Sequence, residues 1–258
     1  MSLNKANFAI IYINETMITK KIYSILVLLA FIIVLSSGCK KENVADSQNP
    51  GVELEELDFP GIMMTLSAIS YASDSSTETI IRNHIIELLA DKDLATEGNW
   101  KLAWGPGISP DSANLVYVVM ADTEPISYAL VVRGTNPHSV PGVVQDADVF
   151  KLVPFKGGEA NDSISNGAMD GMNNILKTSD AHTNRSLEWF LDSVAADKKI
   201  NLFVTGHSQG GYLAPVMAYW VMNNQKFIDK FTIRTLTFAG PTVGNYGFSK
   251  NFISTLND

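Results

Sequence analysis

The chain has 258 residues, of which 46% are apolar, so it can bury one sizeable core and a single folded domain is expected. Its net charge of -8 and its pI of about 5.0 argue against nucleic-acid binding, and no cluster of Lys and Arg overturns this. The one cysteine excludes an intrachain disulfide. No group of His, Cys and Asp has the spacing of metal ligands, and no cofactor is predicted.

The N-terminal part of the sequence has the three-part plan of a secretory signal. Lysines at 20–21 precede an apolar run at 22–35, and small residues follow at 36–38. The apolar run is shorter than the roughly 20 residues that a membrane-spanning helix needs. Cys39 comes directly after the small residues. This arrangement resembles the lipobox of bacterial lipoproteins, although Ser36 stands where that pattern usually has Leu, and it implies lipidation of Cys39.

These features divide the chain into three predicted regions. Residues 1–38 form a lipoprotein-type signal segment, in which Met17 is a more natural start than Met1. Residues 39–58 form a polar, acidic tether, and residues 59–258 form the folded domain. The predicted location is the bacterial cell envelope, where a lipid anchor holds the exported protein at the outer membrane or the cell surface. The alternative is an uncleaved N-terminal anchor with an incidental cysteine, which is also exported and tethered.

Within the folded region, the spacing of apolar residues predicts a mixture of helices and strands. Helical spacing predicts helices at 61–72 and 77–90, whereas residues 100–107, rich in Trp, Gly and Pro, break the pattern. Residues 156–167 are predicted to form an exposed loop. The other predicted elements are strands at 114–120 and 126–133, a mainly helical stretch at 168–196, and strands at 200–205 and 229–238.

The stretch around Ser208 predicts a strand, a very sharp turn and a helix, with the serine at the apex. An apolar, β-prone run precedes the turn, and a run of small and apolar residues follows it. This is the arrangement of a nucleophile elbow, here made of Gly206, His207, Ser208, Gln209 and Gly210. The two outer glycines remove side chains that would clash, and the N–H of the residue after the serine points towards an acyl oxygen. The alternative is an ordinary serine in a Gly-rich turn.

A second sharp turn follows the strand predicted at 126–133. That strand is almost wholly apolar, as expected for a strand buried on both faces, and it ends in a turn at 133–137 that contains Thr135. Ligands bind outside the carboxyl ends of the strands in open parallel sheets. The Thr135 turn and the Ser208 turn are therefore expected on the same rim of the sheet.

Together, three segments of the sequence resemble the class 3 lipases, the fungal-type triacylglycerol lipase family of α/β-hydrolases. The segments are VVRGT at 131–135, VTGHSQGG at 204–211 and TFAGPTVGN at 237–245. They follow the family's order at about its spacing, and the resemblance covers roughly residues 60–258. Two departures are Gln209, where the family usually has Leu, and Ala-Gly-Pro at 239–241, where it usually has Gly-Ala-Pro.

The resemblance implies an α/β-hydrolase fold, with a mostly parallel sheet flanked by helices, that acts on an acyl ester or lipid substrate. It makes Ser208 the nucleophile. It also makes the backbone N–H and hydroxyl of Thr135, together with the N–H of Gln209, the oxyanion hole. Residues 136–146 match the position of the family's lid, and Asp146 is expected to be structural.

The sequence offers no obvious general base for this serine. In this fold the chain order is Ser, then Asp or Glu, then His, but no histidine follows Ser208. Upstream, His84 is expected to be structural and His182 solvated, while His138 lies in the lid segment and could approach the serine. We therefore expect the chain to stop before the family's catalytic acid and histidine and to lack its C-terminal strands.

More than one function class remains open on these grounds. The leading hypothesis is a serine ester hydrolase, a lipase or carboxylesterase, tethered to a bacterial envelope. The missing base favours an alternative, a truncated or degenerate lipase-like lipoprotein that only binds acyl or glycan ligands. A peptidase or acyltransferase on the same fold rests on the elbow alone, and the segments at 133–135 and 241–245 count against it.

Overall fold

The computed structural model describes residues 58–72, 77–121, 123, 126–136, 139, 151–195 and 199–257. The predicted signal segment, Cys39, the tether up to residue 57, His138 and Asp146 lie outside these residues. No helix in the described ranges combines the length and the apolar character needed to cross a membrane. The predicted division of the chain into three regions therefore stays a prediction.

The described chain forms two N-terminal helices, then a run of strands, and then a C-terminal half in which helices and strands are interspersed. In chain order they are α1 (Phe59–Ile69), α2 (Glu78–Leu89), β1 (Trp100–Ile108), β2 (Leu115–Ala121), β3 (Ser127–Val132), β4 (Leu152–Pro154), β5 (Ser163–Ser165), α3 (Asn166–Leu176), β6 (Ser179–Asp180), β7 (Arg185–Ser186), α4 (Leu187–Val194), β8 (Ile200–His207), α5 (Gln209–Asn223), β9 (Phe231–Phe238) and α6 (Tyr246–Asn257).

The central sheet is mixed and has the strand order β1-β2-β3-β8-β9. The first three strands pair antiparallel, and β3, β8 and β9 pair parallel. Every residue of β3 is buried, as its apolar sequence predicts for a strand covered on both faces. Because β3 and β8 run parallel with Val132 opposite Gly206, the two predicted turns follow neighbouring strand ends.

Each face of the sheet buries its own apolar cluster, because successive side chains of a strand point to opposite faces. On β2, Tyr117 and Val119 join the cluster that α1 and α2 cover. Val116 and Val118 join the cluster that α3, α4 and α5 cover. The predicted α/β class, with helices flanking the sheet, is confirmed.

The prediction for residues 100–107 was wrong, because this segment is the edge strand β1. Its ladder with β2 is irregular on both sides of Trp104, and Gly105 has a φ of +92° that side chains rarely adopt. An irregular edge strand accommodates Gly and Pro, the residues that the sequence pattern treats as breakers. Trp100 and Trp104 nevertheless bury their rings, at 3% and 2% exposure, one in each cluster.

The exposed loop predicted at 156–167 is wrong at its C-terminal end. Residues Ser163–Ser165 form β5, which pairs with β4, and the next residue begins α3. Asp162 is also buried. Its carboxylate can be removed from water because it accepts hydrogen bonds from the Tyr219 hydroxyl at 2.9 Å and from the Asn251 amide at 2.7 Å. Polar composition suggested solvent here, but these partners from α5 and α6 replace the water.

The stretch predicted as mainly helical at 168–196 contains two helices, α3 and α4, separated by the short β6–β7 ribbon. Asp180 of this ribbon is buried and links three parts of the fold. Its carboxylate accepts hydrogen bonds from the N–H groups of Gly105 at 2.7 Å, His182 at 2.8 Å and Thr183 at 2.8 Å. The Arg82 guanidinium on α2 lies 3.4 Å away. Burial alone would raise the pKa of Asp180, but these N–H groups and the nearby positive charge outweigh it and lower the pKa.

We predict that Asp180→Asn lowers the free energy of unfolding at pH 7 by about 2 kcal/mol, because three N–H donors lose a charged acceptor. Because folding lowers the pKa of Asp180, the ionised carboxylate stabilises the fold at pH values above the ordinary Asp pKa of about 4. This stabilisation is lost as the pH falls through the folded-state pKa. The gap between wild type and variant should therefore close below about pH 4 in urea titrations. The exposed Asp170→Asn is the control, and an equal effect of both variants would contradict the prediction.

Candidate active site

Ser208 stands between the end of β8 and the start of α5, as predicted. Its backbone has φ 56° and ψ -119°, and a positive φ is uncommon for any residue with a side chain. The residue is half-buried. A strand, a strained residue and a helix therefore follow one another within a few residues, which is the geometry that a nucleophile elbow requires.

Two glycines let the backbone close on itself at this turn. A Cβ atom on Gly206 would lie 2.4 Å from the carbonyl oxygen of Gly210. A Cβ on Gly210 would lie 2.0 Å from the carbonyl oxygen of Val132 at the end of β3. Both distances are far below any real contact, so the predicted role of these glycines in removing clashing side chains agrees with the structure.

Backbone hydrogen bonds hold the turn in this conformation. The Ser208 N–H donates to the carbonyl of Phe238 on β9 at 2.9 Å, and the Gly211 N–H donates to the carbonyl of Ser208 at 2.9 Å. Gln209 is the first residue of α5 and is 1% exposed. Its N–H belongs to the first turn of a helix, where N–H groups have no partner within the helix and the dipole is positive.

The residues after β3 form a strap, defined here as residues 133–136, that packs directly against the elbow. A Cβ on Gly134 would lie 2.5 Å from the carbonyl oxygen of His207, so only a glycine allows this approach. Thr135 is the next residue and is half-buried. The structure therefore brings the predicted Thr135 turn beside the Ser208 turn, through the contact between Gly134 and His207.

Buried polar side chains anchor the strap on its other side. Arg133 is 2% exposed, and its guanidinium donates to the carbonyl of Ser112 at 2.9 Å. The side-chain amide of Asn136 donates to the same carbonyl at 3.2 Å. These two bonds tie both ends of the strap to the turn between β1 and β2. The sequence motif includes Arg133, but nothing in the sequence indicated that its guanidinium would donate to the carbonyl of Ser112.

His207 points into the protein beside the elbow. Its Nδ1 lies 3.1 Å from the hydroxyl oxygen of Tyr71, which follows α1, and the two rings meet edge to face with centroids 6.0 Å apart. Burial lowers the pKa of His207, because the charged ring loses water. Sequence reasoning missed Tyr71, since it belongs to no motif and lies far from the elbow along the chain.

The described part of the chain contains no histidine that bonds Ser208, and the Ser208 hydroxyl makes no hydrogen bond there. His84 on α2 is exposed, and so is His182 in the turn before β7, which agrees with the prediction of a solvated side chain for His182. Nor does any group of three His, Cys, Asp or Glu side chains within the described ranges lie close enough to hold a metal ion.

Two clefts, of about 310 and 270 Å³, lie elsewhere on the described surface. The larger is lined by Arg82, Asp180 and their neighbours, whereas the smaller reaches Arg133 and Asn136 on the anchored side of the strap. Neither lining includes Ser208, Thr135 or Gln209 among the described residues. The backbone geometry of a nucleophile elbow is found at Ser208 and not at the residues that line either cleft.

Comparison with known proteins agrees with this geometry. The family described as Lipase (class 3) matches residues 129–258, a stretch that contains the last four residues of β3, the strap, the elbow and the segment after β9. The chain belongs to the class 3 lipase family. A search of curated proteins found no match.

Solved lipase structures share the fold. M37 lipase superposes with a TM-score of 0.67 at 25% identity, over 76% of this chain and 64% of its own. A deletion mutant of the Rhizomucor miehei lipase–propeptide complex gives 0.52 at 20% identity, over 80% and 58%. Lipase II from Rhizopus niveus gives 0.50 at 20% identity, over 74% and 66%. The chain therefore spans less than two thirds of each of these three proteins.

Proposed function

We propose that this protein is a carboxylic ester hydrolase of the lipase type, with Ser208 as its nucleophile. The observation that carries the proposal is the elbow itself, where Ser208 has φ 56° between β8 and α5. The strap packed on the elbow adds support, because it brings the segment that bears Thr135 beside the turn. An acyl ester fits this arrangement, since its carbonyl needs an attacking oxygen and nearby donors for the developing negative charge.

In the proposed reaction, the Ser208 oxygen bonds to the ester carbonyl carbon while its proton passes to a base. The carbonyl oxygen becomes an oxyanion, which accepts hydrogen bonds from the Gln209 N–H and from the N–H and hydroxyl of Thr135. The tetrahedral intermediate then expels the alcohol, which takes up the proton. Water hydrolyses the resulting acyl-serine and restores the hydroxyl.

The base is the one role for which the described residues offer no candidate. His207 is the described histidine next to Ser208, and its Nδ1 bonds Tyr71. The lack of a general base for Ser208 among the described residues favours a second candidate function, a lipase-like protein that binds an acyl ligand without cleaving it. The two functions differ in whether Ser208 reacts, and the protein to assay is the product of the full reading frame.

We predict that a fluorophosphonate probe labels the protein at Ser208 and that the protein cleaves p-nitrophenyl esters. Ser208→Ala should abolish both, because no other hydroxyl stands on the elbow, whereas the exposed Ser249→Ala on α6 should retain both. Labelling is located by mass spectrometry of the peptides, and cleavage is followed by absorbance. Ester cleavage by Ser208→Ala would refute the assignment. A folded wild type that neither reacts nor cleaves would favour the binding function.

We predict that Thr135→Val lowers kcat by about 100-fold with little change in KM, because it removes one donor that acts on the oxyanion. The substitution keeps the shape of the side chain and the backbone N–H. Thr183→Val, in the exposed turn before β7, is the matched control and should leave kcat unchanged. A wild-type kcat in Thr135→Val would exclude the hydroxyl from the oxyanion hole.

We also propose that the protein is held at a bacterial cell envelope by lipid on Cys39, a residue outside the described ranges. The apolar run and the small residues before the cysteine support this proposal. Cells that express the full reading frame should incorporate radiolabelled palmitate into the protein and retain it in the membrane fraction. Cys39→Ser should lose the label, because the acceptor sulfur is gone. Labelling of Cys39→Ser, or no labelling of wild type, would disprove the anchor.

A further inference from the structure

Tyr71 contacts both halves of the proposed site, although no motif includes it. Its hydroxyl oxygen lies 3.1 Å from Nδ1 of His207, the residue before the proposed nucleophile. The same oxygen lies against the strap, since a Cβ on Gly134 would be 1.8 Å from it. One hydroxyl therefore touches the elbow on one side and the residue before Thr135 on the other.

The Tyr71 hydroxyl fills the space beside Gly134, where the strap packs against the elbow. Gly134 is enclosed by the Tyr71 hydroxyl and by the carbonyl oxygen of His207, which would lie 2.5 Å from an added Cβ. Removing the hydroxyl opens space for one oxygen atom at this point, and it also removes the hydrogen bond that orients the His207 ring. Either change allows the strap to shift relative to the serine.

The support behind Tyr71 is fixed to the strand that leads to the elbow. On α1, the Ser67 hydroxyl donates to the carbonyl of Met63 at 2.9 Å and lies 3.1 Å from the hydroxyl of Thr205 on β8. Both hydroxyl-bearing residues are fully buried. The Tyr71 N–H continues the helix end by donating to the carbonyl of Ala68 at 3.0 Å. Tyr71 is thus attached to α1, and α1 is attached to β8 three residues before Ser208.

We propose that Tyr71 is a positioning residue of the oxyanion hole, and this rests on the proposed function. Through His207 and Gly134 its hydroxyl sets the separation between the Thr135 donors and the Ser208 oxygen. The role requires the neutral His207 tautomer with its proton on Nε2, so that Nδ1 accepts the hydrogen bond from the Tyr71 hydroxyl. Tyr71 acts through its neighbours and has no contact with the reacting atoms in this role.

Tyr71→Phe tests the proposal, because it removes only the hydroxyl. Small displacements of catalytic groups are costly to the chemical step, so kcat on a soluble ester should fall about tenfold while KM stays within about twofold. Tyr117→Phe is the matched control. Its buried hydroxyl donates to the carbonyl of Leu66 on α1, whereas the Tyr71 hydroxyl bonds the elbow residue His207. It should lower the unfolding temperature and leave kcat unchanged.

Substitutions of His207 test whether the two residues act together. His207→Asn retains an acceptor near the position of Nδ1, so its kcat should exceed that of His207→Leu. Combining Tyr71→Phe with His207→Leu should cost less than the sum of the two single losses, because the shared hydrogen bond is already lost and only the contact of Tyr71 with Gly134 remains to be removed. Fully additive losses would overturn the proposed coupling.

A readout independent of activity separates this inference from the proposed function. Amide hydrogen exchange of the peptide that contains residues 133–136 should quicken in Tyr71→Phe and stay unchanged in Tyr117→Phe. An active wild type with normal kcat and exchange in Tyr71→Phe would overturn the positioning role alone. An effect confined to KM would make Tyr71 a substrate contact and also overturn it. An inactive wild type would overturn the proposed function, while the exchange measurement would still decide the role of Tyr71.

Discussion

A backbone contact between the start of α5 and the end of β3 fixes the geometry of the whole candidate site. A Cβ on Gly210 would lie 2.0 Å from the carbonyl oxygen of Val132, and Val132 faces Gly206 in the parallel ladder. No side chain separates the elbow from β3, so the chain that leaves β3 must continue beside Ser208. The strap that carries Thr135 therefore has its position set by the same contact that shapes the elbow.

The positive φ of Ser208 has to be stabilised by the surrounding structure. A residue in such a conformation costs about 1–3 kcal/mol. The helix that follows supplies more than this, because fully burying each of Leu213, Val216 and Met217 contributes about 1.5–3 kcal/mol. The hydrogen bond from the Ser208 N–H to the Phe238 carbonyl then favours one backbone conformation at the turn. The apolar cluster that α5 buries therefore offsets the conformational cost at Ser208.

Local patterns predicted the elbow, because its glycines, its serine and the change from strand to helix lie within a few residues. The same local view failed at β1, where Gly105 suits an irregular strand but has the composition of a break. It failed again at Asp162, whose partners come from α5 and α6. Tyr71 could not be predicted at all, since its contacts with Gly134 and His207 exist only once α1 packs on the sheet. Contacts between distant segments were therefore the part that composition and periodicity could not supply.

Directional hydrogen bonds, more than apolar packing, explain why α1 can serve the site. Apolar contacts are non-directional, so they select the position of a helix along a sheet less sharply than a hydrogen bond does. The hydrogen bond between the buried hydroxyls of Ser67 and Thr205 has a much narrower optimum, because both partners of the Thr205 hydroxyl, the Ser67 hydroxyl and the Met63 carbonyl, lie on α1 and would be lost together. Their bond selects one position of α1 along β8, and the helix end at Tyr71 follows from it. A polar pair deep in the core thus determines where a hydroxyl stands beside the proposed nucleophile.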